Sequence, residues 1–174
     1  MLRPSATRSA VLLLLAVVAS ACSFSFSIGG LDYEALEEGI AEELNASYAS
    51  IDRSVEGVDC PEPDEDPEVG DQLVCTATLE GQAVRVQATV EDEDFNVTFN
   101  TLDVVYELTD TAELLAADIS EAVGVPVNLN CGEGITVVPI GEGFQCSATD
   151  AGGGTATIQV TANDIEDTSW EILE

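Results

Sequence analysis

The sequence contains no histidine and no lysine, and its four basic residues, Arg3, Arg8, Arg53 and Arg85, stand against 34 acidic ones. Each scarcity removes a class of chemistry. Without histidine or lysine the chain cannot assemble the usual nucleophile–base pair or a Schiff base. Carboxylates alone remain for acid–base work, as in glycoside cleavage, and with 34 of them the sequence singles out no pair. The expectation is a non-enzyme, with a carboxylate-only hydrolase as one alternative. Zinc is disfavoured because the cysteines lack close CxxC spacing and have no histidine beside them. Gly132-Glu133-Gly134 and Gly141-Glu142-Gly143 look like phosphate-loop fragments, but they lack a following helix and a basic partner and read as turns. No cofactor is implied. A surface this acidic repels phosphate backbones and anionic headgroups, which excludes nucleic acid and leaves membrane contact in need of some other device.

Long apolar runs are missing too. The longest, Ala10 to Ala21, is shorter than the roughly 20 residues that span a bilayer. Following Arg3 and Arg8, it has the make-up of an export signal. It ends in Val18-Ala19-Ser20-Ala21-Cys22, which resembles the lipobox of bacterial lipoproteins, with Ala19 where leucine is commonest. That resemblance implies cleavage after Ala21 and diacylation of Cys22, giving a signal peptide over 1–21 and a lipidated tether over 22–30. The mature chain would keep only Arg53 and Arg85 as cations. Two acyl chains at about 0.8 kcal/mol per buried methylene would hold even a repelled protein. Ser23 to Gly30 could extend about 25 Å, beyond the Debye length of about 8 Å at physiological salt. The expected location is the outer face of the cytoplasmic membrane.

What the chain does have is a cysteine pair used twice. Cys60 and Cys75 lie fifteen positions apart, as do Cys131 and Cys146. Val69-Gly70 is matched by Ile140-Gly141, and Cys75-Thr76-Ala77-Thr78 by Cys146-Ser147-Ala148-Thr149. The repeat predicts two tandem domains, 31–108 and 109–174, each with one internal disulfide. Domains of this size have marginal cores, and a disulfide closing about 15 residues adds on the order of 3 kcal/mol. The fifth cysteine, Cys22, is left alone beside the cleavage site.

Asp32 can cap a helix whose Leu36, Ile40, Leu44 and Tyr48 recur every four residues, with glutamates over the remaining face. Val55 to Asp59 reads as a short strand delivering Cys60-Pro61. Glu62 to Glu68 is an acidic loop that Pro63 and Pro67 keep irregular. Leu73, Cys75, Ala77 and Leu79 alternate with polar residues, Gly81 marks a turn, and Val84, Val86, Ala88 and Val90 alternate again. Phe95, Val97 and Phe99 offer a further strand after the acidic turn Glu91 to Asp94. Asp110 with Glu113 resembles a capping box that opens a second helix striped by Leu115, Ile119 and Val123 and stopped by Gly124 and Pro126. Val127 and Leu129 lead to Cys131. Strands carrying Phe144, Cys146 and Ala148, then Ala156, Ile158, Val160 and Ala162, turn through Gly152-Gly153-Gly154, and Trp170 and Ile172 close the chain. The predicted class is α+β, each domain an N-terminal helix packed on a sheet of three or four antiparallel strands.

The order lipobox, helix, Val58-Asp59-Cys60-Pro61, Gly70, Cys75 and a Gly-turned hairpin resembles an uncharacterised domain family of actinobacterial lipoproteins and secreted proteins. The likeness runs from Leu31 to about Phe99 and, less closely, from Thr111 to about Trp170, where Gly132 replaces the proline after the cysteine. It implies an exported, disulfide-bonded small domain and no particular activity. The expected role is a binding or structural module of the cell envelope with a protein partner. The alternative is weak divalent-cation binding, since Glu62 to Glu68 and Glu91 to Asp94 supply hard oxygen ligands. From Asp92 an EF-hand spacing gives Asp94, Asn96 and Asp103, but Val97 stands where glycine is needed.

Overall fold

The structure is a computed structural model that describes residues 24, 25 and 30–173. Cys22, the signal segment and most of the tether lie outside the described residues. The chain divides into two compact units, the first ending at Asp103 and the second beginning at Val104. Sheet dominates both, with two long helices among the described residues.

The first unit contains β1 (Phe24–Ser25), α1 (Tyr33–Tyr48), a short 3-10 turn (Ala49–Ile51), β2 (Gly57–Asp59), β3 (Gln72–Leu79), β4 (Gln82–Val90) and β5 (Asn96–Thr101). Asp32 caps α1 as expected, its Oδ1 accepting from the Ala35 amide at 3.1 Å. Leu36, Ile40, Leu44 and Tyr48 are all buried, so the four-residue period does mark the core face. Asn45 Oδ1 accepts from the Val55 amide at 2.8 Å and Glu37 Oε1 from the Cys60 amide at 2.8 Å, which fastens the returning chain to the helix.

The sheet is antiparallel with five strands in the order β1-β5-β4-β3-β2, wider than the three or four expected. Its extra width comes from β1 at one edge, where Phe24 pairs with Val97. β3 and β4 join through Glu80-Gly81, both at positive φ (49° and 75°), the two-residue turn that matches strand twist. Every second residue, from Leu73 through Leu79 and from Val84 through Val90, is buried. Cys75 lies on that inner face and bonds to Cys60.

The unit boundary falls inside β6 (Asp103–Glu107). There follow α2 (Leu108–Val123), β7 (Val127–Asn130), β8 (Ile135–Pro139), β9 (Gly143–Asp150), β10 (Thr155–Asp164) and β11 (Asp167–Leu173). The order β11-β10-β9-β7 makes a four-stranded antiparallel sheet, and β6 and β8 pair separately. Leu115 and Ile119 of α2 pack with Leu129, Cys146, Ile158, Val160 and Trp170. Cys131 bonds to Cys146.

Helix α2 starts earlier than Asp110 and Glu113 suggest. Glu107 is the N-cap, its carboxylate accepting from the Asp110 amide at 2.7 Å, and Asp110 sits in the first turn, where it favours the positive end of the helix dipole. The C-terminus is as expected, with Gly124 left-handed at φ 76°. Gly132 has φ 104° and donates its amide to Asn130 Oδ1 at 2.9 Å, a conformation closed to the proline found after Cys60.

Candidate functional site

A shallow, open groove of about 350 Å³ lies on the first unit, lined by Pro67, Glu68, Val69, Asp92, Glu93 and Phe95. Two turns build it. On one side the Asp71 amide donates to Glu68 O at 3.0 Å and Asp71 Oδ2 takes the Glu68 amide at 2.8 Å, closing a tight turn with Gly70 at φ 93°. Val69 stands at its tip, 53% exposed, while Pro67 is buried beneath. The turn is tied to the sheet by Gly70 N to Val90 O (2.8 Å) and Val90 N to Asp71 O (3.0 Å).

On the other side Asp92 organises the acidic turn between β4 and β5. Its carboxylate accepts from the Asn96 side chain (2.6 Å), the Asn96 amide (3.1 Å) and the Asp94 amide (3.0 Å). These bonds, the Asn96 side chain foremost, hold its pKa below the ordinary aspartate value. Phe95, at φ 55°, is half-buried at the groove wall. Glu68 and Glu93 are exposed, and their carboxylates make no hydrogen bond among the described residues.

The second unit carries the same tied turn. Glu142 N donates to Pro139 O (2.9 Å), Gly141 N to Ala162 O (2.6 Å) and Ala162 N to Glu142 O (2.9 Å), with Gly141 at φ 89°. Ile140 takes the place of Val69 and is 36% exposed. The sequence displayed the pair Val69-Gly70 and Ile140-Gly141 as a repeat. That the aliphatic residue points outward both times is legible only in retrospect, from its position just before a left-handed glycine in a turn.

The spaced acids from Asp92 do not form a cation loop. Asp92 and Asn96 bond to one another, and Asp103 is buried, its carboxylate held by Arg85 through the amide (2.7 Å), Nε (3.1 and 3.2 Å) and Nη2 (2.5 Å). Among the described residues no three acidic, histidine or cysteine side chains converge in a way that could hold a metal ion. Cys60, Cys75, Cys131 and Cys146 are all in disulfides, so none of them is a nucleophile or a thiolate ligand. The buried Asp103 escaped the sequence reading, which treated the acidic residues as solvated surface or candidate ligands. The signal available was that only two cations, Arg53 and Arg85, exist after residue 8, and Arg53 pairs with Glu80 at 2.7 Å.

Burial raises the phenols. Tyr48 is pushed up to about 12, chiefly by burial and secondarily by Asp103. Tyr106 is raised by burial, partly offset by its 2.8 Å hydrogen bond with Thr168. Neither lines the groove.

The groove-bearing unit is also the part of the chain with a family likeness. Residues 17–94 match the family model described as DUF4333, a domain of unknown function. The match takes in α1, the Cys60–Cys75 bond and the β3–β4 hairpin, and ends in the acidic turn, before the second unit. No curated protein and no solved structure matched the chain.

Proposed function

We propose that the chain is a bacterial cell-envelope lipoprotein of actinobacterial type, cut after Ala21 and diacylated at Cys22. It presents two tandem copies of one small α+β domain at the outer face of the cytoplasmic membrane, as modules that bind or brace another envelope protein. One observation carries the reading most. The other four cysteines are joined in two disulfides, so Cys22, behind a basic and apolar leader, is the one left for another use. Paired cysteines at this density suit an oxidising, extracytoplasmic compartment. Among the described residues no helix is long and apolar enough to cross a membrane, and the acidic exterior would not dock on anionic lipid unaided. The tandem reading draws on the equal cysteine spacing and on the matching hydrogen bonds of the Glu68–Asp71 and Pro139–Glu142 turns.

The test is Cys22→Ser in a bacterial host that processes lipoproteins. The wild-type chain should fractionate with membranes and yield an N-terminal peptide carrying diacylglycerol. The variant should lose both. A variant that stays membrane-bound with an unchanged N-terminal mass sinks the lipoprotein reading.

A further inference from the structure

We infer that the groove of the first unit docks a basic polypeptide segment bearing an apolar side chain; this rests on the binding-module reading and names its surface and partner chemistry. The floor and wall are apolar, from Pro67, Val69 and Phe95, while the rim is acidic, from Glu68 and Glu93. Asp92 contributes to its own turn, and among the described residues the two rim carboxylates have no hydrogen-bond partner, which leaves them for something outside the unit.

That something is cationic. Arg53 and Arg85 are held by Glu80 and Asp103, and the sequence beyond the leader offers no other cation to face the rim. A bare metal ion is the poorer fit, because no three ligating side chains converge here and an apolar floor gives it nothing. Guanidinium groups suit exposed carboxylates such as Glu68 and Glu93, and an aliphatic neighbour in the same peptide suits Val69 and Phe95. The volume is at the small end for ligand sites and open, so it fits one or two side chains of an extended segment instead of enclosing a small molecule.

Val69 strengthens the case. Over half exposed at the tip of a tied turn, it adds little to the core, yet the second unit repeats the placement with Ile140. At the groove Val69 thus offers exposed aliphatic surface beside Phe95 to a partner's apolar side chain.

The probe is a short peptide alternating arginine and leucine, titrated into the whole mature protein at physiological salt. The comparator alternates arginine and serine at equal charge. Glu68→Gln with Glu93→Gln should weaken binding of the arginine–leucine peptide about tenfold, as loss of central contacts does. Val69→Ser, an exposed change that spares the fold, should weaken that peptide severalfold and leave the serine comparator unaffected. Glu38→Gln with Glu42→Gln, the same charge change on the exposed face of α1, should alter affinity less than twofold. Equal losses from the two double variants, or equal affinity for both peptides, would assign binding to the general field of the acidic protein and overturn the groove. Absence of binding would overturn it as well, while the lipoprotein reading would still stand or fall on Cys22→Ser.

Discussion

Both disulfides join cysteines fifteen positions apart, and the two spans between them are filled in opposite ways. Between Cys60 and Cys75 the chain runs through Glu62, Asp64, Glu65, Asp66 and Glu68 with prolines at 61, 63 and 67, and takes no regular structure before β3. Between Cys131 and Cys146 it forms β8, whose Val138 packs with Tyr106 and Ala162 while Tyr106 meets Phe144 at 5.1 Å between ring centres. What the spans share lies at their ends: the covalent bond, and the turn of Glu68–Asp71 or Pro139–Glu142 tied to the partner strand. Fixed ends leave the interior free to be acidic loop in one unit and paired strand in the other. The first unit accordingly gives Pro67, Glu68 and Val69 of this stretch to one side of the groove, whereas the second uses the same stretch for packing.

The largest test of that comparison is removal of each bond. Replacing both members of either pair by alanine should cost about 3 kcal/mol, since the chain-entropy term depends on loop length and the loops are equal. Urea unfolding of the two variants measures it. A much larger loss for the Cys131–Cys146 variant would mean that the enclosed strand depends on the bond for its packing. Accessibility separates the pair further: Cys60 is buried while Cys131 is half-buried, so mild reductant should open the Cys131–Cys146 bond first.

Alkali should distinguish the units next. Below pH 10 the Tyr48 phenol is protonated in folded and unfolded chains alike and pH has no effect through it. Above pH 10 the unfolded chain loses this proton and the folded one keeps it until about 12. Stability of the first unit should therefore fall by about 1.4 kcal/mol per pH unit across that window. Tyr48→Phe should flatten the slope, read as denaturation midpoint against pH. Tyr106→Phe should flatten the second unit's response less, because Thr168 already offsets part of the burial effect. Equal slopes with and without Tyr48 would mean that its phenol is not shielded.

How much of this was readable in advance follows from periodicity. Leu36, Ile40, Leu44 and Tyr48 on α1, and the alternating residues of β3, β4 and β10, declare their faces because one side is core and the other water. β6 and β8 do not. In both, two half-buried residues separate two buried ones, so neither strand shows a two-residue alternation, and their pairing stayed hidden. The α2 start was misread because Glu107 does the capping, outside the residues favoured there. Gly143 read as part of a turn, yet it begins β9, and a side chain there would run into the Val160 carbonyl, a requirement of strand approach invisible in sequence. The groove was half legible: both acidic segments stood out by composition, but their meeting around Val69 and Phe95 depends on which strands neighbour one another.

The smallest expected effect tests a contact that the second unit uses to hold its helix to the last strand. Trp170, the chain's one tryptophan, is buried against α2 and donates Nε1–H to Asp118 Oδ2 at 2.6 Å. Asp118→Ala leaves a buried indole donor without its acceptor and should cost about 1 kcal/mol, with a shift in tryptophan emission that reports on this site alone. Asp118→Asn keeps an oxygen in place and should recover most of the loss. If Asn restores nothing, the carboxylate charge and not the hydrogen bond is what fastens helix to strand. If even Ala costs nothing, the packing of Trp170 with Leu115, Ile119 and Val160 is sufficient, and the second unit relies on apolar contact where the first fastens its helix with Glu37 and Asn45.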